Sequence, residues 1–189
     1  MEKRNNIYTL FIDTHFKDVK LGLYRDEKLL NISEATEFPS TSQTVLPMIR
    51  SILKDIDINI NDLGKVIVCN GPGSFTGIRI GVTIAKTIAY CLNIPIYTIN
   101  FLQIAALNNK GENTYAVLEN NGYYMAEFQD DKMTSSIKYV KSKDTNGAIV
   151  NEKIDYQKLI IYPYLEKSDC FNANPLYIKT IEVQSGKKS

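Results

Sequence analysis

Residues 66–92, VIVCNGPGSFTGIRIGVTIAKTIAYCL, constrain the fold more than any other stretch. The apolar run Val66-Ile67-Val68-Cys69 is long enough for a buried strand. The loop Asn70-Gly71-Pro72-Gly73-Ser74-Phe75-Thr76-Gly77 follows, and then a helical pattern over 78–92. Gly71, Gly73 and Gly77 around Pro72 let the backbone turn sharply and approach another segment closely. Ser74 or Thr76 can cap the helix by accepting from N–H groups of its first turn. A glycine-rich turn feeding a helix N-terminus can hold an anion. It can equally be a tight strand-to-helix turn. The spacing is neither GxxxxGK[ST] nor GxGxxG, and no lysine follows the loop, so it is not a P-loop.

At 100° per residue, the apolar side chains of 78–92 cover roughly 200° of the helix, whereas a helix lying on one sheet needs little more than about 100°. Gly77 and Gly81 sit inside that arc, where a second backbone can come close. The helix therefore packs against its own sheet and against a second layer, either another helix of the chain or another protein. A second helical pattern over 42–56 follows the start signal Pro39-Ser40-Thr41-Ser42-Gln43-Thr44, with Pro47 tolerable within the first turn. Its apolar arc is roughly 160°. The apolar surplus includes Met48 and Ile52 on the first helix and Ile80, Ile84, Ile88 and Cys91 on the second.

Upstream, 7–12 reads as a buried strand ending at Asp13-Thr14. Val19, Leu21 and Leu23 alternate with polar or small residues, and 29–36 reads as a third strand, so 7–36 form a meander. Asn93-Ile94-Pro95 stops the long helix, 96–99 is a fifth strand and 101–107 a short helix. The order is β-β-β-α-β-α-β. Beyond residue 108, strand-like runs at 114–119 and 123–129 flank the hairpin signal Asn120-Asn121-Gly122. Shorter runs at 137–140, 148–150 and 159–162 read as strands, and 184–189 as a frayed tail.

With 189 residues the chain is one domain or two small lobes with room for a real core. A net charge of +1 calls for neither nucleic acid nor membrane. The run 7–12 is too short for a signal sequence, and no apolar stretch approaches the ~20 residues of a membrane span. Cys69 and Cys91 lie in apolar patterns and read as buried thiols. With Cys170 they form an odd, widely spaced set that suits a reducing cytoplasm.

The single histidine, His15, cannot build a histidine-rich metal site, and no HExxH or cysteine ligand set is present. It reads as a partly exposed loop residue. A Ser–His–Asp or Cys–His pair would have to borrow it, and GPGSFTG lacks the GxSxG spacing. Asp13 is the one acid at a strand end beside the loop, as a turn former or as a site residue. No metal and no cofactor are expected.

GPGSFTGIRIG after a short strand, with AKTIAY in the helix, resembles the bacterial TsaB (YeaZ) family of tRNA threonylcarbamoyladenosine synthesis. The likeness covers 7–107, and Pro175-Leu176-Tyr177-Ile178-Lys179 resembles the family's ending. It implies an α/β actin-like ATPase (ASKHA, RNase H-like) fold of two lobes: 1–107 with the loop and interface helices, and a shortened 108–189. In that superfamily the first hairpin embraces a nucleotide phosphate.

The resemblance also implies a role: a non-catalytic scaffold or activator for threonylcarbamoyl transfer to adenosine of ANN-decoding tRNAs. Such a chain pairs with the catalytic subunit TsaD through helices 42–56 and 76–92, with the ATPase TsaE in the larger complex. It meets tRNA only through that complex, and a homodimer is possible when it is alone. Met48, Ile52, Ile80, Gly81, Ile84, Ile88 and Cys91 would then face the partner. Asp13, Thr14, Gly71, Pro72, Gly73, Ser74, Thr76, Gly77 and Arg79 would form a structural loop or a vestigial phosphate site. TsaD holds a metal through HxxxH after its fifth strand, and here Phe101 and Ala105 stand at those two positions. The chain departs from the family at Thr41-Ser42-Gln43, where a histidine is usual, and in its short second lobe. The rivals are an actin-like-fold nucleotide hydrolase or kinase using Asp13 and the glycine loop, and a glycoprotease, against which the missing metal ligands count.

Overall fold

The computed structural model describes residues 8–36, 40–119, 122–141, 145, 147–150 and 154–178. Its first sheet begins with the antiparallel meander β1 (Tyr8–Asp13), β2 (Val19–Arg25) and β3 (Lys28–Ala35). Helix α1 (Thr41–Asp55) follows, capped by Ser40 Oγ, which accepts from Gln43 N. Next come β4 (Leu63–Cys69), α2 (Phe75–Leu92), β5 (Ile96–Ile99) and the short helix α3 (Phe101–Ala105). The β-β-β-α-β-α-β order read from the pattern is the observed order. Pro47 lies beyond the first turn of α1, not within it, and is exposed, so water can reach the carbonyl its missing N–H leaves free.

The second half forms a sheet of β6 (Glu112–Glu119), β7 (Gly122–Gln129), β8 (Lys132–Met133), β9 (Lys138–Val140) and β10 (Ile149–Val150). The chain then returns to the first sheet as β11 (Glu166–Ser168), antiparallel to β5. The first sheet runs β11-β5-β4-β1-β2-β3, with β4 parallel to both β1 and β5. This mixed arrangement, a meander continued by parallel strands, is the α/β actin-like lobe that the resemblance implied.

Strand alternation divides the core in two. Leu10, Ile12, Val66 and Val68 face α1 and α2. Phe11, Ile67, Cys69 and Ile99 face the other way, toward Ile104, Leu159, Ile160 and Tyr162. A third cluster, with Leu102, Tyr115, Tyr124 and Phe128, joins α3 to the second sheet.

Some expectations are corrected. Residues 159–161 belong not to a strand but to a 3-10 turn, Tyr156–Ile161, which Tyr162 follows as its C-cap and which is opened by Asp155 Oδ1 accepting from Gln157 N at 3.1 Å. There the backbone closes on itself, Tyr162 N donating to the Leu159 carbonyl at 3.3 Å, in place of a strand ladder. β8 and β11 carried no apolar signal because they pair through backbone at sheet edges. Helix α2 spans 18 residues and is long and apolar enough to cross a membrane by length and composition. Its Ile78, Val82, Ala85, Ile88 and Ala89 are instead packed in the core. Ile7, Asn120, Asn121, Lys179 and the 184–189 tail lie outside the described residues.

Candidate functional site

The centre of the site is the turn at the end of β1. His15 N donates to Asp13 Oδ1 at 3.0 Å, and the His15 ring Nδ1 lies 2.6 Å from the same oxygen. The glycine loop rides on this turn. Ser74 N donates to the His15 carbonyl at 2.6 Å, and Thr14 Oγ1 donates to the Gly77 carbonyl at 2.7 Å. A Cβ at Gly73 would overlap the His15 carbonyl, and one at Gly77 the Thr14 carbonyl. One at Gly81 would overlap Thr14 Oγ1. Gly71 carries φ +117°, and Gly71–Pro72 is a cis peptide. The glycines thus let the chain's own backbone come close. Ser74 is the cap of α2: its Oγ accepts from Gly77 N at 3.2 Å. Thr76, the other candidate cap, is exposed, as is Arg79.

The outer side of the loop is covered by the 175–178 segment. Leu176 N donates to the Asn70 carbonyl at 2.7 Å, and Arg79 Nε to the Tyr177 hydroxyl at 2.7 Å. The Arg79 guanidinium lies 3.7 Å from the Phe75 ring centroid, a cation–π contact. The sequence-level likeness between the two distant motifs therefore corresponds to one packed surface.

The inner side holds a cluster the sequence reading missed. β1 and β4 pair in parallel with Phe11 beside Ile67 and Ile12 beside Val68. One further step puts Asp13 beside Cys69 on the face away from α1 and α2. Single ligand atoms of Asp13, His15 and Cys69 all lie within 4.8 Å of one another. His15 is only 6% exposed and stacks on Phe101 at a centroid distance of 3.7 Å, so the reading of a partly exposed loop residue is corrected. The sequence shows no ligand set, and the structure brings these three side chains together. Linear spacing cannot reveal it, because residues 13 and 69 meet only through sheet register. The register rule would have found the pair had the two strands been known to be neighbours.

Burial by itself would raise the Asp13 carboxyl, but the charge and two hydrogen bonds of His15, with Lys20 beyond, hold it below the ordinary carboxylate value. Burial, then the charge of Asp13, pushes the Cys69 thiol well up. The thiol is close enough to feel Asp13, yet Asp13 Oδ2 receives no well-formed hydrogen bond. The buried Tyr156 hydroxyl also lacks a partner among the described residues, and burial followed by the Asp13 and Cys69 charges raises its pKa.

The helix faces correct the partner set. Ile52, Gly81 and Ile88 are buried in the chain's own interior. Most of the wide apolar arc of α2 is accounted for by the sheet, by α1 and by the Thr14 turn, against which Gly77 and Gly81 pack. Met48, Ile80 and Ile84 are half-buried at the edge of the core, and Cys91 is exposed rather than a buried thiol. On the helical wheel Ile80, Ile84 and Cys91 share one flank of α2.

A family model described as TsaD, tRNA N6-adenosine threonylcarbamoyltransferase, matches residues 39–119. The TsaB protein of Bacillus subtilis is 39% identical over 103 residues, 53% of this chain and 44% of that protein. The TsaB protein of Haemophilus influenzae is 31% identical over 137 residues, 69% of this chain and 57% of that one. The matched stretches thus span about half the length of these relatives. Among solved structures, YeaZ from Pseudomonas aeruginosa superposes with a TM-score of 0.74 at 15% identity, covering 90% of this chain and 99% of that one. A glycine loop seated on the first strand's turn, a mixed sheet of this topology and these relatives point the same way: the chain is similar to proteins of the TsaB (YeaZ) family.

Proposed function

We propose that this chain is a non-catalytic scaffold or activator subunit in tRNA threonylcarbamoyladenosine synthesis, working in the cytoplasm. It pairs with the catalytic subunit TsaD through the α1–α2 layer, joins TsaE in the larger assembly and meets tRNA only there. The same layer supports a homodimer when TsaD is absent.

The observation that carries this reading is the outward flank of α2. Ile80 and Ile84 are left half-covered and Cys91 exposed on a helix whose other face is fully occupied by its own chain. Apolar surface of this kind favours association. Phe101 and Ala105, at the two positions where TsaD carries histidines, support a non-catalytic role, since neither side chain can ligate a metal. The glycine loop supports it as well. The Ser74 and Gly77 N–H groups that could cradle a phosphate are engaged within the chain.

The test is Ile80→Glu with Ile84→Glu, assayed for co-elution with TsaD and for threonylcarbamoyladenosine formation. The variant should stay folded by circular dichroism, elute apart from TsaD and support no modification. A folded variant that still co-elutes with TsaD overturns the proposal.

A further inference from the structure

Asp13, His15 and Cys69 come from two strand ends far apart in sequence and converge at the buried end of the sheet. Their donor atoms are a carboxylate oxygen, a ring nitrogen and a sulfur, all within 4.8 Å. Two observations single the cluster out. Asp13 is 2% exposed, and its Oδ2 has no partner in hydrogen-bond geometry among the described residues, with only the weakly donating Cys69 thiol interacting with the carboxylate. An unpaired buried carboxylate oxygen is costly, so this one calls for a cation or a proton donor. Tyr156 adds a second orphan, a buried hydroxyl within electrostatic reach of Asp13 and Cys69.

We propose that Asp13, His15 and Cys69 form a site for one thiophilic divalent cation of the zinc class. A mixed oxygen, nitrogen and sulfur set suits zinc, whose bonds to these donors are about 2.0–2.3 Å. It does not suit magnesium or calcium, which take oxygen donors. On binding, the Cys69 S–H bond breaks, the proton leaves to solvent, and the thiolate electron pair forms the bond to the metal. Ionised Asp13, the Cys69 thiolate and the dication then sum to zero charge, which a buried site tolerates far better than a lone carboxylate. The proton that His15 Nδ1 shares with Asp13 Oδ1 leaves that nitrogen, to solvent or to Nε2, so that His15 contributes a neutral ring nitrogen with a free electron pair. Its present 2.6 Å approach to Asp13 Oδ1 is shorter than two ligands of one metal take, so the pair opens by less than about 1 Å. The His15–Phe101 stack fixes the ring plane meanwhile.

The experiment is a titration of the full chain, tag removed and chelator-stripped, with cobalt(II) as the optical probe and zinc as competitor. Wild type should develop a thiolate-to-cobalt charge-transfer band that saturates at one cobalt per chain, and one equivalent of zinc should erase it. Its melting temperature should rise with zinc. Cys69→Ser should lose the band, and His15→Gln should weaken zinc binding at least tenfold. Cys91→Ser with Cys170→Ser should change neither. Absence of the band in folded wild type overturns the proposal, as does a band that survives Cys69→Ser. If Cys69→Ser does not fold, the wild-type titration and His15→Gln still decide. Neither readout depends on TsaD or on tRNA modification.

Discussion

Thr14 and Gly77 are locked together across 63 residues of sequence: the Thr14 hydroxyl donates to the Gly77 carbonyl at 2.7 Å, while Gly77 has no room for a Cβ beside the Thr14 carbonyl. The first strand's turn and the N-terminus of α2 are thus a single packed unit. What resembles a nucleotide loop in sequence is a joint between two parts of the same core.

This joint makes the glycines structural. Gly73→Val would press a branched side chain into the His15 carbonyl, and Gly77→Ala would press a methyl into that of Thr14. In both cases the obstacle is backbone, which cannot rotate away. Each should destabilise by about 1–3 kcal/mol or more, lowering the melting temperature by about 2–4 °C per kcal/mol for a chain of this size. Differential scanning calorimetry measures the shift. Unchanged melting with loss of threonylcarbamoyladenosine formation would instead make the loop a functional contact.

Asp13 should leave a signature in acid. Although burial opposes it, His15 and Lys20 hold the folded-state pKa below the ordinary value. The unfolded chain therefore binds this proton more readily. The contribution is complete above the unfolded value of about 3.9 and is lost as pH falls through the lower folded value. In chelated buffer, the gap in urea midpoint between wild type and Asp13→Asn should shrink between neutral pH and about pH 3. A gap that stays constant over that range would show that the Asp13 charge does not contribute in this way.

The two isoleucines one turn apart on α2 should behave oppositely. Ile88 is 7% exposed and packs in the core, whereas Ile84 is half-buried at its edge. Ile88→Glu would bury a charge and should cost about 4 kcal/mol or more, lowering the melting temperature by about 10 °C. Ile84→Glu can turn its carboxylate to water and should cost about 1 kcal/mol. Thermal melts of the two single variants check this. Equal losses would mean that the buried side of α2 is assigned wrongly.

The sequence by itself determined the element order from β1 to α3, because apolar periodicity and the Gly, Pro and Ser punctuation act locally. It also marked the glycine loop and, through that motif, the likeness to TsaB proteins. The loop's role was decided only by tertiary structure, since Gly73, Gly77 and Gly81 are explained by atoms of Thr14 and His15 more than 55 residues away. The side of α2 that is buried was decided there as well. An apolar arc of roughly 200° says how much of a helix is covered, not whether the sheet, α1 or another molecule covers each part. The Asp13–His15–Cys69 cluster lies furthest from linear reading. Parallel register alone brings residues 13 and 69 side by side, and no local pattern encodes which strands become neighbours.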